Sequence, residues 1–264
     1  MEKPIYVQLD ELYKAKWNDF AKAIEPHKAK VSIPFLSSTA RWENGVQTED
    51  WWTKADIKVM IVGREVHGGN FYLEKGNASW VQLEEKEPGF DYHVPLSIYD
   101  DFCTSKKISS DEQIAKGAGP LFVNAWNPFV EAIKKTFANK NVAFFYDNLD
   151  TLAKPNERGQ LDASLLKISR EKFSKPTFSK KLAILDADIV ICLGCDVKVV
   201  EEVVASLSDI VALSDDITKY TQDNKRSLYV IKQHPSQQNE VIKALYEGFV
   251  KTIIADIKEN FKEQ

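Results

Sequence analysis

The sequence predicts an α/β protein, a three-layer α/β/α sandwich around a mostly parallel central sheet. Two observations predict it: short β-rich apolar runs recur along the chain, and amphipathic helical stretches lie between most of them. A third is the length of 264 residues with 44% hydrophobic content, enough for a substantial core without disulfide or metal staples.

Near the N-terminus Leu12, Tyr13, Trp17, Phe20, Ala21 and Ile24 recur at steps of three and four, which predicts a core-facing helix. From Glu25 to Thr53 the period is lost among Pro26, Pro34, Gly45 and the pair Trp51-Trp52, so this stretch reads as loop with short extended pieces. Ile57 to Val62 then forms a nearly uninterrupted β-rich run, a strand buried on both faces, with Gly63 expected to turn the chain at once. Four further strands are predicted at Val142–Tyr146, Ile189–Leu193, Ile210–Leu213 and Leu228–Ile231. Helical stripes run from Phe122 to Phe137, from Val197 to Leu207 and from Ile242 to Ile257. No repeat or linker composition appears, which predicts a single domain over 1–264. Asn70 to Gly119 is too long and polar for an ordinary connection and reads as an insertion or long loop over the site.

The 35 Lys+Arg against 39 Asp+Glu give a net charge of −4, which disfavours a general nucleic-acid coat and leaves room only for a local basic face. No run approaches the ~18 to 20 apolar residues of a membrane helix, and the first residues lack a signal-peptide pattern, so a cytoplasmic protein without membrane contact is expected. Of three cysteines, Cys192 and Cys195 sit in and just after an apolar strand and read as structural, and Cys103 stands alone. Lys106-Lys107, Lys180-Lys181 and Lys225-Arg226 read as solvated surface.

Parallel sheets bind ligands beyond the carboxyl ends of their strands, which directs attention to three loops. After the first strand, Gly63-Arg64-Glu65-Val66-His67-Gly68-Gly69-Asn70 gathers a base, an acid and an imidazole. A carboxylate there could orient a water; a plain turn with solvated charges is the alternative. Neither a dinucleotide fingerprint nor a phosphate loop is present. After the last strand, Gln233-His234-Pro235-Ser236 brings an imidazole to the sheet's mouth, where it could donate to a developing oxyanion, with Ser236 placed to cap the following helix. Just past Tyr146, Asn148 carries a donor and an acceptor suited to a base edge, or serves as a turn residue.

In this order, the three loops resemble the uracil-DNA glycosylase superfamily. Its first motif reads Gly-Gln-Asp-Pro-Tyr-His or Gly-Glu-Ala-Pro-Gly, and its last His-Pro-Ser; Gly63 to His67 and His234-Pro235-Ser236 stand in those places. A divergent bacterial branch with Gly-Gln-Glu-Thr-Asn-Gly is similar, and the resemblance spans about residues 55–255, which it implies to be the core of the domain. The resemblance implies base excision from DNA: Glu65 to position water, His234 to support the departing base, Asn148 to read its edge, and Arg64 and Ser236 to meet phosphate. Phe71 or Tyr72 would stack the flipped base, with His67 beside it. Arg64 and Val66 depart from the family motif, which leaves the base open between uracil and another damaged base. No metal or other cofactor is implied, since the four iron–sulfur cysteines of some branches are missing. The expected partner is DNA or a nucleotide, with the protein a monomer. The alternative functions are a non-catalytic nucleic-acid or nucleotide-binding module of this fold, or an enzyme on a free nucleoside or nucleotide.

Overall fold

A computed structural model of the chain describes residues 3–32, 34, 36–43, 46–65, 96, 122–154, 161–223, 225–235 and 240–261. They fall into two compact units. One comprises the described parts of Met1–Glu49, Arg64–Ser105 and Asp147–Asp186, the other those of Asp50–Gly63, Lys106–Tyr146 and Ala187–Gln264.

The second unit is built on the sheet, apart from the last residues of two strands, Arg64–Glu65 of the first and Asp147–Asp150 of the second, which fall in the first unit. Its strands are β3 (Ile57–Glu65), β4 (Val142–Asp150), β5 (Ile189–Leu193), β6 (Leu207–Ala212), β7 (Ile217–Gln222) and β8 (Arg226–Ile231), in the order β4-β3-β5-β8-β7-β6. β3, β5 and β8 are parallel, with Ile61 opposite Ile191 and Ile191 opposite Tyr229. β4 starts beside β3, where Asp56 and Ile57 donate N–H groups to the Asn141 carbonyl at 2.8 and 3.2 Å. β7 and β6 add an antiparallel margin. All five residues of β5 are wholly buried, the expected state of a central strand covered on both faces. At roughly 1.5 to 3 kcal/mol per large buried apolar side chain, such strands dominate the unit's stability.

Register shows which helices cover which face. Lys219 pairs with Tyr229, and both reach Asp256 of helix α7 (Glu240–Asn260), at 2.7 and 2.6 Å. Next along β7, Tyr220 points the other way and donates to Glu201 of helix α6 (Val197–Val203) at 2.9 Å. Helices therefore lie on both faces, the layered α/β arrangement expected from the sequence. Helix α3 (Asn127–Thr136) packs beside α7, and a short helix α2 (Asp50–Thr53) precedes β3.

The first unit is mostly helical. Helix α1 (Ile5–Ile24) buries Leu9, Leu12, Tyr13, Trp17, Phe20 and Ile24, the face its spacing predicts. Its first N–H groups, on Ile5 and Tyr6, are taken by the distant carboxylate of Glu49 at 2.9 and 3.0 Å, which satisfies orphan donors at the positive end of the helix dipole. A 3₁₀ turn (Glu25–Lys30) and the antiparallel pair β1 (Arg41–Glu43) and β2 (Val46–Thr48) occupy the region read as loop. α1 packs on a helical run made of α4 (Ala163–Ser169), a widened π-helical turn (Arg170–Ser174) and α5 (Lys175–Leu185), with Phe173 against Tyr13 and Phe20 at 5.9 and 4.9 Å.

One local device appears twice. The widened turn Arg170–Ser174 precedes Pro176, and another, Phe122–Trp126, precedes Pro128. In a regular helix each proline ring would meet the carbonyl four residues back; the wider turn opens that space without ending the helix.

Several expectations need correction. Gly63 does not turn the chain: β3 continues to Glu65, because Leu193 offers Gly63 a ladder partner. Asn148 lies inside β4, which runs on to Asp150. The helix expected to reach Leu207 stops at Val203, and Leu207 begins β6. Two of the basic pairs read as surface split: Lys180 and Lys225 are not buried, whereas Lys181 and Arg226 are, against Asp147 and against Gln222 and the Ala187 carbonyl. Lys106, Lys107, Cys103 and, apart from Leu96, the segment from Asn70 to Gly119 lie outside the described residues. No described helix is long and apolar enough to cross a membrane.

Candidate functional site

In the sheet unit, β5 and β8 end level, with Leu193 opposite Ile231, and beside them Gly63 of β3 stands opposite Leu193 two residues before that strand ends. The segments leaving β5 and β8 are tied together. Gly194 takes φ +66°, a left-handed conformation that lets the chain turn sharply out of β5. The next residue, Cys195, donates its N–H to the Ile231 carbonyl at 3.1 Å. Asp196 then caps α6, accepting from the Lys198 N–H at 2.8 Å. Cys192 and Cys195 are both buried thiols outside any disulfide, and Cys195 Sγ lies 3.5 Å from the Leu193 carbonyl, in keeping with a structural role.

His234 lies three residues past the end of β8 and is half-buried. It rests directly on Gly194: a Cβ on that residue would fall 2.9 Å from both Cα and Cγ of His234. The backbone on either side of the imidazole is held by buried side chains. Tyr246 of α7 donates its hydroxyl to the Gln233 carbonyl at 2.5 Å. Asn124, in the widened turn ahead of α3 and almost fully buried, donates its amide to the Pro235 carbonyl at 3.4 Å. Burial pushes the Tyr246 phenol far above its ordinary range, with the neighbouring Cys195 thiol adding to the effect, so it stays protonated and can only donate here. His234 is therefore fixed from below by a glycine and from both sides by hydrogen bonds to its chain neighbours, a preorganised donor or acceptor at the mouth of the sheet.

The other predicted residues divide between the first unit and the segments outside the described residues. Arg64, half-buried, and Glu65, the last residue of β3, belong to the first unit, as does Asn148. Asn148 is 2% exposed, and its backbone N–H donates to its neighbour Asp147 Oδ1 at 2.9 Å. His67, Phe71, Tyr72 and Ser236 lie outside the described residues.

Asn124, Tyr246 and Gly194 support His234, a role that the sequence does not announce. Tyr246 and Asn124 sit in helical stripes or beside them, where local pattern assigns them only to the core; Gly194 is visible as the glycine ending a strand. Neither a protein-family model nor a curated protein matches the chain.

Proposed function

We propose that the chain is a DNA glycosylase of the uracil-DNA glycosylase type, hydrolysing the N-glycosidic bond of uracil or another damaged base. The observation that carries the reading is the fixing of His234 at the exit of β8, over Gly194 and between two anchored carbonyls. A group so held can stabilise charge that develops only as the bond breaks.

In this reaction the C1′–N bond breaks with its electron pair leaving on the base. The sugar becomes an oxocarbenium-like cation, and an imidazole N–H of His234 hydrogen-bonds to the base anion. Water adds to C1′ and gives up a proton; the base takes one up and departs. The family resemblance assigns the water to Glu65, the base edge to Asn148 and backbone phosphate to Arg64 and Ser236. Extrusion of the base supplies much of the selectivity, since a damaged or mispaired base costs least to unstack.

The test is release of abasic product from single- and double-stranded oligonucleotides carrying uracil, hypoxanthine, xanthine or mismatched thymine. Product from at least one is expected, with H234A lowering the rate about 10²- to 10³-fold, on the order of 3 to 4 kcal/mol. No product from any of them refutes the proposal, and an unchanged H234A rate removes His234 from the mechanism. Activity confined to free nucleosides would move the substrate class away from DNA.

A further inference from the structure

A carboxylate stands in β4 where the apolar run Val142–Tyr146 gives way to the buried polar residues Asp147, Asn148 and Asp150. Asp147 is wholly buried, and Lys181 of α5, 2% exposed at its side chain, donates to its Oδ2. The other oxygen accepts the Asn148 N–H at 2.9 Å. The ammonium sits by the rings of Tyr13 and Phe178, 6.0 and 5.3 Å from their centres. Tyr13 is itself fixed by its hydroxyl, which donates to the Ser37 carbonyl at 2.8 Å. Three residues beyond Asp147, the equally buried Asp150 takes Arg170 through two hydrogen bonds of 2.8 and 2.7 Å. Asn148 thus lies between two carboxylates, each tied by a cation to the one helical run Ala163–Leu185.

Buried ion pairs add little stability, because desolvating both charges offsets their attraction, and a packed apolar pair does as well. What Asp147 supplies that an apolar residue cannot is an acceptor aimed at one N–H. We propose that Asp147, held by Lys181, is a positioning residue that fixes Asn148 for reading a base edge and so sets base selectivity. The inference rests on Asn148 being the base-reading residue of the proposed glycosylase.

Two double variants of the full chain separate the acceptor from the charge. D147L/K181M replaces the pair with apolar groups; D147N/K181M removes both charges and keeps an oxygen at position 147. Both are expected to fold. In D147L/K181M the preference for the best base over the next, as the ratio of kcat/KM values, should fall at least about tenfold, mainly through KM, and hydrogen exchange at the Asn148 amide should quicken at least about tenfold. D147N/K181M should keep both within about threefold of the wild type. Wild-type selectivity in folded D147L/K181M overturns the proposal, as does equal loss in both variants. If the wild type excises no base, the glycosylase reading has failed, and amide exchange alone decides whether Asp147 fixes Asn148: unchanged exchange in D147L/K181M refutes it. Should that variant not fold, loss of Asn148 protection in D147N/K181M refutes it instead.

Discussion

Replacing Gly194 by alanine puts a methyl group where His234 already is. The substitution carries two costs. The backbone at φ +66° is left-handed, which charges a non-glycine residue about 1 to 2 kcal/mol. The new Cβ would also stand 2.9 Å from His234 Cα, against 3.4 Å for the start of ordinary contact, so one backbone must yield by about 0.5 Å. Asn124 and Tyr246 hold the His234 segment on either side, and Cys195 ties the Gly194 loop to Ile231, so neither can give way freely. A displacement approaching 1 Å at a reacting group costs about 10²-fold, so G194A should lose about ten- to a hundredfold in excision rate, and about 2 to 5 kcal/mol of stability once about 1 to 3 kcal/mol of overpacking is added to the backbone cost. The decisive assay is a double-mutant cycle with H234A, read as kcat/KM, with unfolding by denaturant alongside. If Gly194 acts by seating His234, G194A should cost almost no further rate in the H234A background, and the two losses will be strongly non-additive. The imidazole signal of His234, one of four histidines, should also shift in G194A. Full additivity, or a G194A rate within twofold of the wild type, would refute the reasoning.

Two further outcomes are expected. D150A strips the partner from Arg170, whose side chain is 17% exposed, and should destabilise the protein by about 3 kcal/mol, seen as a lower denaturant midpoint; a shift below about 1 kcal/mol would show the pair to be dispensable. Burial holds the phenols of Tyr13, Tyr229 and Tyr246 well above their ordinary pKa, helped at Tyr13 by the charge of Asp147 and at Tyr229 by its bond to Asp256. Above pH ~10 the unfolded chain releases these protons and the folded one keeps them, so stability is full below that pH and falls as pH rises, by about 1.4 kcal/mol per phenol at pH 11. The phenolate signals of these three residues, one third of the nine tyrosines, should therefore appear only with unfolding; their titration near pH 10 in the folded protein would contradict the burial of these groups.

Much of the fold is legible in the sequence because its signal is local. β5 is a continuous run of apolar β-formers, and every one of its residues is buried. β7 is not, because Ile217, Tyr220 and Gln222 are its buried residues, with Thr and Lys between them; its pairing with β8, not its own pattern, makes it a strand. The run Ala163–Leu185 is hidden by Pro176 and its polar residues, since no local rule announces that a widened turn will admit a proline. Lys181 and Arg226 mislead for a related reason. A charge beside a charge looks solvated until its partner is known, and those partners lie 34 residues away at Asp147 and 39 away at the Ala187 carbonyl. In the candidate site the same division holds: the type and position of His234 can be read, whereas the groups that hold its neighbours come from separate helices.

The order of strands sets a delay in time as well as an arrangement in space. β3 lies between β4 and β5, and the hydrogen bonds that tie its start to theirs span 85 residues to Asn141 and 130 to Asp188. On a ribosome adding ~5 to 20 residues each second, the most apolar segment of the first hundred residues waits about 6 to 26 s for its second neighbour. During synthesis Ile57–Val62 is thus a sticky ribbon with both edges open until β4 emerges and one open until β5 does, the kind of segment that a chaperone would hold, and slowing the later half of translation should lower the soluble yield.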